Sequence, residues 1–110
     1  MKKDYYKGLL LINETFIVDH SIFEEWISFF RNSYVRFLKE SPYVRDVVLS
    51  KVQGGYNPDG ENYALQFKIN EKDFPEFKNN EKFKEIRKII NEKFKNQYAS
   101  FETILEVEME

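Results

Sequence analysis

The stretch that decides the fold reads FIVDHSIFEEWISFFRNSYVRFL from Phe16 to Leu38. It begins as the end of an apolar strand, passes through a short polar connection, and continues with apolar residues at helical spacing. Ser21 and Glu24 have the spacing of a capping box, so the helix is predicted to begin there. It is predicted to end before Pro42, because proline disfavours helical geometry in the residue that precedes it.

Four segments are predicted to be β-strands from a period of two in their apolar residues, which is imperfect in the second strand because Val47-Val48-Leu49 is continuous. These strands are predicted at residues 9–18, 43–53, 61–70 and 98–109. The glycine-rich stretch at residues 54–60 predicts a turn, and therefore an antiparallel hairpin of the second and third strands. A short helical segment is predicted to open at Asp73. A second main helix is predicted from Glu81 to Phe94, where apolar residues recur at helical spacing.

The element order strand, helix, strand, strand, helix, strand predicts an α+β fold, the ferredoxin-like βαββαβ sandwich. In this architecture a four-stranded antiparallel sheet carries both helices on one face. The residues expected to pack between the sheet and the helices include Phe16, Val18, Tyr63, Leu65, Phe67, Trp26, Phe30, Ile86 and Ile90.

The sheet face that lies away from the helices, called the open face below, is predicted to be unusually apolar. Leu9, Leu11, Ile17 and Ile104 are expected to point there. A contiguous exposed apolar patch usually marks an interface. Two such sheets can pack face to face into an α+β barrel, so the expected partner is a second copy of the chain, bound through the open face.

The composition is that of one small domain. The chain has 110 residues, of which 42% are hydrophobic and 33% charged, so residues 1–110 are predicted as a single domain with a loose tail at 1–6. The net charge of −2 gives no reason to expect binding to nucleic acid or to an anionic membrane. The absence of cysteine excludes disulfides and thiolate metal sites and fits a cytoplasmic location. The apolar run near the N-terminus is too short for a signal peptide or a membrane span.

Three motifs together resemble those of a known family. They are Val18-Asp19-x-Ser21-Ile22-x-x-Glu25-Trp26, Asn62-Tyr63-Ala64-Leu65-Gln66-Phe67 and Ser100-Phe101-Glu102-Thr103-Ile104-Leu105-Glu106-Val107. The chain resembles, from Ile12 to Val107, an uncharacterised domain of unknown function that is widespread in Bacteroidetes. The resemblance implies a small ferredoxin-like protein of the dimeric α+β-barrel type. It carries no catalytic residue across, because Tyr34-Val35-Arg36, Asn79-Asn80 and Glu102 stand where the family often has two histidines and a basic tail residue.

The sequence predicts no catalytic residue, no metal site and no cofactor. His20, the only histidine, could act as a general base or a haem ligand, but a solvent-exposed turn residue is the commoner role for such a histidine. A cleft between the sheet and the first helix could instead bind an apolar ligand, although an aromatic stripe at helical spacing more often forms a core. The candidate cleft residues are His20, Trp26, Phe29, Phe30, Tyr34, Tyr63 and Phe67.

Three function classes follow. The first is a non-enzymatic homodimer that acts through protein interaction. The second is a carrier or sensor of a small apolar ligand, which would occupy the cleft. The third is a cofactor-independent α+β-barrel enzyme of the monooxygenase or isomerase kind. RNA binding is not expected, because the third strand lacks the basic and glycine positions of an RNA-recognition motif.

Overall fold

The computed structural model describes residues 8–54 and 57–110. The predicted loose tail at residues 1–6 lies outside the described residues, as do two residues of the predicted glycine-rich turn. The strands are β1 (Leu9–Val18), β2 (Val44–Lys51), β3 (Glu61–Asn70) and β4 (Tyr98–Glu106). The α-helices are α1 (Phe23–Phe30), α2 (Arg36–Glu40), α3 (Phe74–Lys78) and α4 (Glu81–Lys93). A π-helical segment (Arg31–Val35) joins α1 to α2, and these three segments form one continuous first helix.

The four strands form one antiparallel sheet in the order β2-β3-β1-β4. This order places β2 and β4 at the edges and β1 in the interior, as the apolar character of both faces of β1 predicted. The ferredoxin-like prediction is therefore confirmed: both main helices pack on one face of the sheet, and the hairpin of β2 and β3 is antiparallel. The bounds predicted for β1 and β3 are also confirmed.

The first helix does not begin with the predicted capping box. The Asp19 carboxylate accepts hydrogen bonds from the Ser21 amide at 2.8 Å and from the Ser21 hydroxyl at 2.7 Å. These bonds cap a single 3-10 turn (His20–Ile22) that precedes α1. The Ser21–Glu24 prediction was wrong because the Ser21 hydroxyl donates to Asp19 instead, and the residue before α1 is Ile22, whose side chain cannot cap a helix.

The core lies between the sheet and the helices, and its register corrects one sequence prediction. Residues that are directly paired across strands point to the same face of a sheet. Ile104 pairs with Ile12, which is 1% exposed against the helices, so Ile104 lies on the helix side and not on the open face. Phe101 and Leu105 pair with Thr15 and Leu11 and therefore lie on the open face. Alternation in the sequence could not show which set of β4 residues faces the helices, because β4 is an edge strand whose residues are mostly exposed on both sides.

Candidate functional site

The predicted cleft residues on the first helix form a closed aromatic stack. Trp26 and Phe30 are stacked with ring centroids 4.5 Å apart, and Phe30 and Tyr34 are stacked at 5.3 Å. Their spacing of four residues brings each ring above the next on one helix face. All three side chains are at most 3% exposed, and the ring of Phe16 packs against the edge of Phe30 at 4.9 Å. The stack thus fills the space between sheet and helix.

The remaining cleft candidates lie around this stack. Phe67 is 1% exposed and packs on Phe77, and Tyr63 stacks on Phe23 at 5.2 Å. Phe29 packs edge-on against Phe94 at 6.1 Å. Neither strand residue faces the open side, because Tyr63 pairs with Phe16 and Phe67 pairs with Ile12.

His20 lies at the end of the sheet, where it joins two loops. Its Nδ1 is 2.8 Å from a carboxylate oxygen of Glu61, and its Nε2 is 2.8 Å from the backbone carbonyl oxygen of Asn57. Because both partners are acceptors, both ring nitrogens must carry a proton for both hydrogen bonds to form. The carbonyl of Asn57 and the carboxylate of Glu61 raise the pKa of His20. When both ring nitrogens are protonated, His20 thus bridges Glu61 and Asn57 and braces the loop before β3.

The interior also contains a polar cluster that sequence reasoning missed, formed by Glu14, Tyr34 and Arg87. Glu14 is 2% exposed although it is charged, because the Arg87 guanidinium donates to its two carboxylate oxygens at 3.1 and 2.9 Å. The Tyr34 hydroxyl accepts a third hydrogen bond from Arg87 at 3.3 Å. The sequence did contain a signal for this cluster. Glu14 occupies a helix-facing position of β1, where the other residues are apolar, and Arg87 lies among the apolar positions of α4.

The electrostatics of this cluster oppose proton transfer. Burial, together with the nearby Glu14 charge, raises the pKa of Tyr34. Burial alone would lower the pKa of Arg87, but its hydrogen bonds and attraction to Glu14 outweigh this effect and raise it. The tyrosine therefore stays neutral, the guanidinium stays charged, and both oxygens of the carboxylate are occupied. Such an arrangement ties β1 to α4 and offers no free general base.

The open face has a different character. Its edges carry exposed apolar side chains, with Phe101 at 62% and Leu105 at 45% on β4 and Val48 at 50% on β2. A polar row lies between them: Gln66 donates to Asn13 at 3.1 Å, and Asn13 donates to the Thr15 hydroxyl at 3.3 Å. The exposed apolar side chains of β2 and β4 are called the apolar edges below, and the polar side chains between them are called the amide row.

Charged residues of the open face gather at one end. Lys68 pairs with Glu110 at 2.6 Å and with Asp46 at 3.3 Å, and Arg45 lies 3.8 Å from Glu110. The charges compensate one another locally, so the larger part of the face is neutral. A neutral face could meet an identical face without repulsion between like charges.

Within residues 8–54 and 57–110, no group of three or more His, Asp or Glu side chains is arranged to hold a metal ion. No helix in the same residues is long and apolar enough to cross a membrane.

Comparison with known proteins agrees with this geometry at the level of the fold. The family model of a domain of unknown function, DUF4286, matches residues 9–108. No curated protein sequence matches the chain.

Solved structures with the same fold have several activities. SnoaB, a cofactor-independent oxygenase from Streptomyces nogalater, superposes with a TM-score of 0.67 and 12% identity, over 94% of this chain and 96% of that one. A conserved protein of unknown function from Bacteroides thetaiotaomicron gives 0.67 and 14%, over 91% and 98% of the two chains. A hydroxynitrile lyase from Passiflora edulis gives 0.62 and 14%, over 87% and 93%. Because this fold supports an oxygenase and a lyase alike, the likeness establishes architecture only.

Proposed function

We propose that this chain, which belongs to the DUF4286 family of domains of unknown function, acts as a homodimer joined through the open face, and that its role is protein interaction. The observation that carries the proposal is the contrast between the two sides of the sheet. On the helix side, stacked aromatic rings and a saturated polar cluster fill the space between the sheet and the first helix. The open side leaves large apolar side chains such as Phe101 in solvent.

The size of the open face suits a stable dimer. Four strands spaced about 4.8 Å apart, with the longest spanning about 33 Å, give a flat face of about 600 Å². Accessible area exceeds flat area, and a standard interface buries about 800 Å² on each partner. One sheet face is therefore comparable in size to one side of a standard interface.

The chemistry of the open face favours an identical partner. A two-fold interface brings the same patch to both sides, so the patch must complement itself. The side chains of Asn13, Gln66 and Thr15 each both donate and accept, so the amide row can pair with its own copy. The apolar edges can bury each other, while the charged end around Lys68 already has its own counter-charges.

The experiment is native mass spectrometry of the purified wild type and two variants. Phe101→Glu places a charge on the open face and is expected to convert the dimer to a monomer. Ile104→Glu is the matched control, because Ile104 lies on the same strand, is 47% exposed, and points to the helix side. It is expected to leave the dimer intact. A wild-type monomer, or equal dissociation of both variants, would overturn the proposal.

A second candidate is a cofactor-independent enzyme, which two observations favour. The fold is shared with SnoaB, described as a cofactor-independent oxygenase. In the described residues, the buried Nε1–H of Trp26 has no hydrogen-bond acceptor, so a small molecule with an acceptor could pair with it if the core opened. The same native spectra test this: an added small-molecule mass that Trp26→Phe abolishes would favour the enzyme over the interaction domain.

A further inference from the structure

A groove runs between the first helix and the edge strand β2, on the helix side of the sheet and away from the open face. Its volume is about 590 Å³. Arg31, Val35 and Lys39 form one wall at a spacing of four residues, so this wall extends about 12 Å along the helix. Val47 and Leu49 of β2 form the opposite, apolar wall.

The helical wall of the groove is irregular. The Arg36 amide donates to the Arg31 carbonyl five residues earlier, which is the bond of a π-helix. Two side chains compete for the carbonyls of the preceding turn: Asn32 donates to the Ser28 carbonyl at 2.9 Å, and the Ser33 hydroxyl donates to the Phe29 carbonyl at 2.6 Å. Such competition loosens the regular ladder. Helical segments of this kind occur often at functional sites.

The strand wall is irregular at the same level. The pairing of β2 with β3 shifts between Arg45 and Val48, and Asp46 adopts a φ of 56° there. This bulge turns Val47 towards the helix side, where it packs against the core. Bulges are enriched beside functional sites, where they re-aim a side chain. A π-helical turn and a β-bulge therefore face each other across one groove.

The rim of the groove is positively charged. Arg31, Arg36 and Lys39 line it against a single carboxylate, Glu40, which lies 3.5 Å from Arg36. Arg31 and Lys39 form no ion pair with any residue of the described ranges. Arg31 and Lys39 thus lie beside the apolar residues of the groove and have no ion-pair partner in that part of the chain.

We propose that this groove binds a small anionic amphiphile, a single-chain carboxylate whose apolar body lies on Val35, Val47 and Leu49 and whose head group pairs with Arg31 and Lys39. The volume falls within the range of about 300–1000 Å³ typical of small-ligand sites. A docked protein partner would need a larger surface, of about 800 Å² on each side. The proposal is independent of dimerisation, which uses the opposite face of the sheet.

The test is titration of the ¹⁵N-labelled protein with three probes, followed by amide chemical shifts. Octanoate carries both charge and apolar body, octanol carries the body alone, and acetate carries the charge alone. Octanoate is expected to shift amides of residues 31–40 and 47–49 at concentrations below about 1 mM, while octanol and acetate do not. Equal shifts from octanol or from acetate would overturn the proposal, as would no octanoate shift in this range.

The variants separate the groove from general surface charge. Arg31→Gln with Lys39→Gln removes the two rim cations that lack an ion pair in the described ranges and is expected to weaken octanoate binding about tenfold, because each exposed charge pair contributes a factor of a few. Lys84→Gln is the matched control, an exposed lysine on α4 outside the groove. Unchanged binding in the double variant, or an equal loss in the control, would show that the rim does not recognise the head group.

Discussion

Both carboxylate oxygens of Glu14 accept hydrogen bonds from the guanidinium of Arg87, which joins the middle of β1 to α4. The two ends of this pair differ in exposure, since the side chain of Glu14 is 3% exposed and that of Arg87 is 34% exposed. The carboxylate therefore depends on the arginine for nearly all of its polar contacts. Removing the arginine would leave a buried charge without a partner.

Arg87→Met is expected to lower the free energy of unfolding by about 3 kcal/mol, at the lower end of the range for a broken buried pair because the arginine is partly exposed. Glu14→Leu combined with Arg87→Met is expected to recover most of that loss, since it removes both charges and fills the space with apolar groups. Urea unfolding of the three proteins measures both effects. Lys84→Met, on an exposed part of the same helix, is the control and should stay within about 0.5 kcal/mol of the wild type.

The sequence predicts a structural feature correctly where neighbouring residues in the chain determine that feature. The bounds of β1 and β3 follow from alternation because polar connections flank both strands. The prediction for β4 was too long: pairing ends at Glu106, although the alternation continues and the Val107 amide still bonds the Leu9 carbonyl. Beyond Glu106 the chain is no longer a strand, and Glu110 pairs with Lys68 on β3.

Two of the misses share one physical cause, which is dependence on partners distant in sequence. The face to which Ile104 points depends on its register with β1, ninety-odd residues earlier in the chain, which no local pattern reports. The cluster of Glu14 and Arg87 likewise joins residues 73 positions apart. The aromatic stack, in contrast, arises from spacing along one helix, so Trp26, Phe30 and Tyr34 could be grouped from the sequence.

Gly60 occupies a position where a side chain has no room. A Cβ built there would lie 2.2 Å from the Val18 carbonyl oxygen, which belongs to the backbone and cannot move aside. Gly60→Ala is therefore expected to be strongly destabilising. Gly54→Ala is the matched control, because Gly54 has the same φ of 151° and nothing within 4 Å of the built Cβ. The strain of the backbone is common to both variants.

The measured difference between the two glycine variants reports the collision alone. Gly60→Ala is expected to lose at least about 2 kcal/mol more than Gly54→Ala in urea unfolding, the usual magnitude for forcing an extra group into a filled space. Equal losses in the two variants would mean that the end of β1 yields to the added methyl group.

The contacts of His20 predict that the stability of the folded protein depends on pH, and they determine the sign of this dependence. Its pKa in the folded protein is raised by the Asn57 carbonyl and by Glu61, so the folded state binds the proton more tightly than the unfolded state. The contribution to stability is complete below the ordinary histidine pKa of about 6.5 and is lost as the pH rises through the higher folded value. The loop before β3 should then be held less firmly.

The histidine prediction can be checked directly because the chain has a single histidine. An NMR titration of its ring should give a pKa above about 6.5. The urea midpoint of the wild type should fall as the pH rises above about 6.5, and His20→Gln should show a smaller decrease because glutamine does not titrate. A ring pKa at or below the ordinary value would contradict the bridging arrangement of Glu61 and Asn57.

Dimerisation through the open face predicts that thermal stability depends on protein concentration. Association stabilises the folded state by mass action, so each tenfold rise in concentration should raise the Tm by about 3 °C for a dimer of this size. Phe101→Glu should melt at one temperature at all concentrations, because a monomer has no such dependence. Ile104→Glu should retain the slope of the wild type, since its side chain lies on the other face of β4. A wild-type Tm that does not change with concentration would exclude a dimer that dissociates on unfolding, and the exposed side chains of Phe101 and Leu105 would then require a different partner.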